Sequence, residues 1–335
     1  MSFLQHQNNT FDEIWDALMQ AESILIPLHL SPDPDSYCSA VASAVVLTSK
    51  GKNVTIVSAD EYPELPLMKN IFPVNQVDPA DVNLNDFDTF LAQDISSIKR
   101  YSNNEHFELP EGMTVVNIDH HKTNTYFGDY NYIDMEAAST AEIVFMLFEK
   151  QSVDISAEIA NVLFMGLASD TGWFSFGPHP HTYEIAKKLV ILGADTQIVK
   201  SALSAIALNK IKLLGISHSR VSYDQEHKYL FSYVNYKDFR KYDLINEQVY
   251  PGIHELKYSK DVEYNRIWMP QDTRVNQWYI SFRTNPLNKI DVSKIAKSLG
   301  GGGHEEAAGA VINSDSLENV KKIIDEELEN LRGSI

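Results

Sequence analysis

Eight side chains at the ends of apolar runs carry the chemistry this sequence offers: His29, Asp33, Asp35, Asp94, Asp119, His120, His121 and Asp170. The triplet Asp119-His120-His121 directly follows the run Thr114-Val115-Val116-Asn117-Ile118, which reads as a buried strand. Burying three such groups unpaired costs several kcal/mol, so they require a partner such as a cation. His29, Asp33 and Asp35 converge within one short stretch, His29-Leu30-Ser31-Pro32-Asp33-Pro34-Asp35. A residue before proline is biased to extended geometry, and residues two apart in an extended segment share a face. Asp33 and Asp35 are therefore expected to point into one cleft. Asp170 closes an apolar helix, where its charge meets the negative end of the dipole and needs compensation. Oxygen-rich ligation with some imidazole and no thiolate suits Mn²⁺, or Mg²⁺, better than structural zinc. So many donors exceed what one ion needs. Two ions about 3.5–4 Å apart, sharing a carboxylate, would use them, and such pairs serve hydrolysis, above all of phosphate esters.

The elements that must position these groups follow from the apolar pattern. Ile24 to Leu28 reads as a strand closed by His29, and Asp35 and Ser36 are placed to start an Ala- and Val-rich helix to about Ser49. Cys38 and Ser39 lie inside that helix as packing residues. Asn53 to Val57 and Phe87 to Ala92 are further strands, with Asp94 just past the second. Tyr130 to Ile133 is a short strand, and Ser139 with Glu142 has capping-box spacing at the head of a helix to about Lys150. The helix from about Ser156 to Ser169 is apolar nearly all round and hence buried. Helices are also expected over Phe11 to Ala21 and Thr182 to Leu192, with a helical connector over 194–214. Beyond it, His227 to Val234 and Trp278 to Arg283 read as strands, Asp291 to Leu299 as a short helix and Ser316 to Leu331 as an amphipathic one. The stretch between those two strands has no readable period.

Gly300-Gly301-Gly302-Gly303-His304 stands apart. Four glycines in succession are costly in backbone entropy and more than an ordinary turn requires. Such a loop lets backbone N–H groups approach an anion closely.

The chain of 335 residues has 46 acidic and 28 basic side chains, a formal charge of -18. A long nucleic acid is thereby excluded, because tracking along phosphates needs a basic groove. A short anionic substrate stays compatible if metals supply the positive charge locally. The single cysteine, Cys38, excludes a disulfide framework and a multi-cysteine zinc site. Met1 to Thr10 has no signal-peptide core, and no apolar run approaches the roughly 18–20 residues of a membrane span. The expectation is a cytoplasmic protein without membrane association; no feature indicates its oligomeric state.

These motifs together resemble the DHH phosphoesterase superfamily. The resemblance rests on His29 to Asp35, Asp94, Asp119-His120-His121, Ala138-Ser139-Thr140-Ala141-Glu142 and Asp170-Thr171-Gly172. It extends to the DHH-associated C-terminal domain, through Gly300 to His304 with Ala307-Ala308-Gly309. Length and layout look most like the stand-alone bacterial oligoribonucleases that also act as phosphoadenosine phosphatases. The resemblance implies an α/β fold with a larger parallel-sheet catalytic domain (1–193) and a smaller mixed substrate-binding domain (215–335) facing it across a cleft. It implies hydrolysis of short oligoribonucleotides and 3′-phosphoadenosine 5′-phosphate to mononucleotides, with two divalent ions. His29, Asp33 and Asp94 resemble the ligands of one ion; Asp35, Asp94, His120 and Asp170 resemble those of the other, with Asp94 bridging. His121 matches the histidine that contacts the scissile phosphate, and Asp119 the residue that orients its neighbours. Arg283, with Gly301, Gly302, Gly303 and His304, looks like the clamp on a terminal phosphate or base. The chain departs from the usual pattern at Ser36-Tyr37-Cys38-Ser39 and at Ile95 to Arg100, neither of which removes a ligand.

Phosphodiesterases for linear or cyclic dinucleotides such as pApA or cyclic di-AMP share this scaffold and stand as the alternative. Inorganic pyrophosphatases share the first domain's motifs but lack the glycine-histidine loop, so Gly300 to His304 argues against them. A metal-binding nucleotide sensor without turnover would be favoured by a missing ligand, and none is missing.

Overall fold

The computed structural model of the protein describes residues 8–63, 65, 71–102, 107–225, 229–244, 256, 264–270, 277–284 and 291–332. The chain forms two compact units, 1–205 and 206–335.

In the first unit, β1 (Ser23–Pro27), β2 (Asn53–Ser58), β3 (Val74–Gln76), β4 (Thr89–Gln93), β5 (Thr114–Asp119) and β6 (Tyr130–Ile133) build one sheet in the order β3-β2-β1-β4-β5-β6. Every neighbouring pair is parallel. Parallel sheets are covered on both faces, which is why these strands read as near-continuous apolar runs. Alternate residues serve opposite layers: Leu25, Phe90, Ala92 and Val115 pack with Ile95, Tyr101 and Met113, whereas Ile24, Ile26, Leu91, Val116 and Ile118 pack with the helices. The strand order reverses between β1 and β4. Loops leave the carboxyl ends of those two strands in opposite directions, and the crevice so opened is where open α/β sheets bind ligands.

The helices of this unit are α1 (Phe11–Gln20), α2 (Pro34–Ser49), α3 (Thr140–Lys150), α4 (Ala157–Asp170), α5 (Pro180–Ile191) and α6 (Thr196–Leu203). Thr10 caps α1 through the Glu13 N–H, and the Glu13 carboxylate accepts from Thr10 N in return. The start of α2 differs from the sequence expectation. Asp33, not Asp35, is its cap, accepting the Ser36 N–H at 3.0 Å. Pro34 takes the first helical position, where a missing N–H costs nothing. Asp35 is thus helical and wholly buried rather than part of an extended segment.

In the second unit, β7 (Ser222–Asp224), β8 (Tyr229–Tyr233), β9 (Tyr264–Pro270), β10 (Gln277–Thr284), β11 (Gly302–Gly303) and β12 (Ala307–Asn313) pair in the order β11-β12-β10-β9-β8-β7. Among the described strands only β8 and β9 run parallel, so this sheet is mixed. Its helices are α7 (Leu208–Ser219), α8 (Tyr236–Lys241), α9 (Val292–Ser298) and α10 (Leu317–Arg332). Val320, Ile324 and Leu328 of α10 recur every fourth residue and pack on Ile280, Phe282 and Ala308. The expected strand start at His227 lies outside the described residues. Sequence reasoning missed β3, β7, α8, β9, β11 and β12; α8 carries a local signal, the Asn235–Asp238 capping box. Among the described residues no helix is long and apolar enough to cross a membrane.

Candidate metal centre

Three strand ends, the start of α2 and the end of α4 deliver the donors. His29 lies two residues past β1, Asp94 directly past β4, His120 past β5, and Asp170 is the last residue of α4. Asp94 adopts a left-handed backbone (φ +62°), which Asp tolerates better than most residues. Its N–H is tied to Ile118 O at 3.1 Å, so the turn is locked against β5. Asp94 Oδ2 lies 3.3 Å from His29 Nε2, which is 3.6 Å from Asp33 Oδ2. Asp94 Oδ1 lies 3.5 Å from His120 Nε2, which is 3.3 Å from Asp170 Oδ2. Asp35 completes the His120–Asp170 group. One carboxylate therefore turns an oxygen to each of two separate His/Asp groups. Asp33 and Asp35 belong to different groups, because Asp35 turns with the helix while Asp33 caps it.

The imidazoles are aimed. His29 Nδ1 is 2.8 Å from Leu30 O, and a carbonyl can only accept, which puts a proton on Nδ1 and leaves Nε2 turned toward the carboxylates. The Arg100 guanidinium also nears Nδ1, at 3.2 Å, but the shorter carbonyl contact decides the tautomer. His120 Nδ1 faces Ala137 O at 3.4 Å in the same sense. Metal-binding histidines are oriented in this way. Asp35 accepts from Thr140 N (2.7 Å) and Ala141 N (3.0 Å), first-turn groups of α3 that have no partner within their own helix.

The electrostatics show a cluster short of positive charge. Burial alone would lower the His29 and His120 pKa values, but the facing carboxylates outweigh it. Asp33 and Asp94 raise His29 to about 10, and Asp170 and Asp94 raise His120 to about 12. For Asp94 burial acts upward but is outweighed by His120 and His29, which hold its carboxyl far below the usual range. Asp35 is pushed well up by burial and by the repulsion of Asp170 and Asp94; burial also raises Asp170, against the pull of His120. Protons on the imidazoles supply positive charge among these carboxylates, with the Arg100 guanidinium at the edge beside His29. Divalent cations would replace those protons, and the donor set of carboxylate oxygens with outward-turned Nε2 atoms fits such ions.

His121 and Asp119 behave differently. Asp119 is wholly buried, and four donors already occupy it. Its Oδ1 accepts from His120 N (2.8 Å), His121 N (3.3 Å) and His121 Nδ1 (2.7 Å), and its Oδ2 from Asn124 Nδ2 (2.6 Å). Although Asp119 is near enough to join Asp94, His120 and His121 around an ion, it has little left to offer one. It raises the His121 pKa and leaves that half-exposed ring's Nε2 unclaimed by Asp119. Sequence reasoning missed Asn124, which also reaches Asn117 Oδ1 at 2.9 Å. It also misjudged Glu142. Ser139 does cap α3, but the Glu142 carboxylate accepts from Ala138 N (3.1 Å) and Thr182 Oγ1 (3.0 Å) rather than closing a capping box, and so pins α5 to α3.

In the second unit the glycine run is the edge of a hairpin. Gly302 and Gly303 pair with Gly309 and Ala308, and His304 and Ala307 exchange backbone hydrogen bonds at the turn. A Cβ at Gly301 would meet Gly309 O at 2.1 Å, and one at Gly303 would meet Ala307 O at 2.5 Å, so backbone packing demands both glycines. Gly302 has open space around it. Arg283 sits opposite Ala307 in the ladder and donates to Ser281 Oγ and Phe282 O, both at 2.8 Å. Arg283 and the exposed His304 thus share one end of this sheet.

Comparison with known families gives the same division. The DHH family N-terminal domain matches residues 23–167, and the DHHA1 domain matches residues 256–330. The chain therefore carries a DHH N-terminal domain followed by a DHHA1 domain. This DHH chain is 24% identical over 323 residues to the probable bifunctional oligoribonuclease and PAP phosphatase NrnA of Streptococcus mutans, covering 96% of this chain and 98% of that one. It is 27% identical to the bifunctional oligoribonuclease and PAP phosphatase NrnA of Thermus thermophilus, over 91% of this chain and 90% of that one. In fold it is similar to the crystal structure of an exopolyphosphatase-related protein from Bacteroides fragilis, with a TM-score of 0.81 at 22% identity, covering 96% and 95% of the two chains.

Proposed function

We propose that this protein is a two-metal phosphoesterase that hydrolyses short oligoribonucleotides and 3′-phosphoadenosine 5′-phosphate to mononucleotides. The observation that carries the reading is Asp94, whose two oxygens face the His29–Asp33 group and the His120–Asp35–Asp170 group. His29, Asp33 and Asp94 hold one ion in this reading, and Asp35, Asp94, His120 and Asp170 the other. Mn²⁺ suits the mixed imidazole and carboxylate set best. Bound ions would activate water and stabilise the departing oxygen. His121, held by Asp119 with its outer nitrogen exposed, contacts the reacting phosphate and is placed to hand a proton to the leaving oxygen. We assign the terminal phosphate or base of the substrate to Arg283, Gly301 to Gly303 and His304.

Two further observations support a short substrate. The net charge of -18 offers no basic track for a long chain. The relatives of nearly equal length carry oligoribonuclease and PAP phosphatase in their names. The test is turnover, with Mn²⁺, of a panel comprising phosphoadenosine phosphate, pApA, an RNA pentamer, cyclic di-AMP and pyrophosphate. Release of mononucleotide from the pentamer and of phosphate from phosphoadenosine phosphate is expected. Turnover confined to pApA or cyclic di-AMP would move the assignment to a dinucleotide phosphodiesterase, and no turnover of any would refute it.

A further inference from the structure

Thr140 opens α3 and is wholly buried, yet its hydroxyl is not needed to cap its helix, because Ser139 Oγ already takes the Glu142 N–H at 3.1 Å. Its polar atoms face two acids from different parts of the fold. Thr140 N donates to Asp35 Oδ2 (2.7 Å), and Thr140 Oγ1 donates to Asp94 Oδ1 (3.1 Å). Asp35 belongs to one His/Asp group, and Asp94 joins both. A single residue therefore touches the shared carboxylate and a carboxylate of one flanking group.

The contacts of Asp94 differ in kind. The Nε2 atoms of His29 and His120, at 3.3 and 3.5 Å, are the positions an entering cation would take over. They hold Asp94 in place only while no cation is bound. The Thr140 hydroxyl is neutral and no ligand in the proposed set; it occupies one lone pair of Oδ1 and leaves the other for an ion. Because Asp94 sits on a left-handed turn past the end of its strand, the plane of its carboxylate has to be fixed from outside. The turn that supplies the hydroxyl is itself braced: Glu142 ties it to Ala138 N and Thr182. From the opposite side α4 packs without slack, since a Cβ at Gly166 would lie 2.8 Å from Ala141 Cβ and 2.9 Å from Asp35 Oδ1.

Resting on the two-ion reading, we infer that Thr140 is a positioning residue whose hydroxyl sets the Asp94 carboxylate so that each oxygen is presented to a different ion. The test is Mn²⁺ titration followed by electron paramagnetic resonance on wild type, Thr140→Ser and Thr140→Val, with melting in chelator as a check on folding. Wild type and Thr140→Ser are expected to take up two ions and show an exchange-coupled signal. Thr140→Val keeps the shape and loses the donor, so at least one ion should bind about 10- to 100-fold more weakly and the coupled signal should disappear. Thr140→Ala makes the same comparison should the valine variant not fold. A valine or alanine variant with wild-type affinities and a coupled signal overturns the inference, as does failure of Thr140→Ser to preserve them. A wild-type protein that takes up no pair of ions defeats the two-ion reading itself, before any variant is compared.

Discussion

At the carboxyl ends of β1, β4 and β5 the side chains of His29, Asp94 and Asp119 are buried and held by several partners each, whereas at the β11–β12 hairpin the polar groups lie exposed. The first region cannot be satisfied by its own side chains. Its acids repel one another and its histidines hold protons only because the acids surround them. The second region is satisfied already, since its glycines serve backbone pairing and Arg283 donates to its own strand. A buried cluster short of positive charge points to a ligand by its energetics; an exposed hairpin does not, however distinctive its sequence.

The largest effect is expected at the atom pair joining the two halves of the cluster. Asp94→Asn should abolish coupled Mn²⁺ binding and lower kcat by more than about 10³-fold, checked by metal analysis alongside turnover. Retention of both ions would break the comparison at its centre. Adjacent histidines divide next. His120→Ala should lose metal, whereas His121→Ala should keep it near the wild-type content while kcat falls about 10²- to 10⁴-fold. Equal metal loss in both would show that His121 belongs to the ligand set.

Much of the first region was readable because it obeys one local rule: an apolar strand should not end in unpaired ionisable groups. His29, Asp94 and Asp119 to His121 all announce themselves in that way. What stayed hidden is the holding network, because its bonds are long-range. Thr140 and Asp35 are 105 residues apart in sequence, and no local period links them. The extended geometry expected of Asp35 failed for a local reason, since proline after Asp33 fits the first turn of a helix as well as it fits a strand. In the second unit β9, Tyr264–Pro270, was missed because Tyr-Asn-Arg-Ile-Trp-Met-Pro shows no clean alternation. The glycine run was read for its anion-binding capacity, while at Gly301 and Gly303 close backbone approach is already reason enough.

A moderate effect is expected with pH. Raised pKa values mean that ions must displace protons from His29, near 10, and His120, near 12. Mn²⁺ affinity should therefore strengthen as pH rises from 6 to 8, with at least two protons released per pair of ions. Calorimetry in buffers of different ionisation enthalpy counts them, and affinity independent of pH would contradict the protonated cluster. The smallest effects separate the hairpin glycines. Gly303→Ala must move the β12 backbone and should destabilise the protein by about 1–3 kcal/mol. Gly302→Ala meets open space and should change stability by less than about 0.5 kcal/mol. A raised KM in Gly302→Ala, with metal binding intact, would tie the exposed face of the hairpin to substrate.

The most direct measurement is an anomalous difference map from crystals grown with Mn²⁺. Two peaks about 3.5–4 Å apart are expected. Asp94 should lie between them, with His29 and Asp33 on one and Asp35, His120 and Asp170 on the other. A single peak, or a pair that does not share Asp94, would contradict the account.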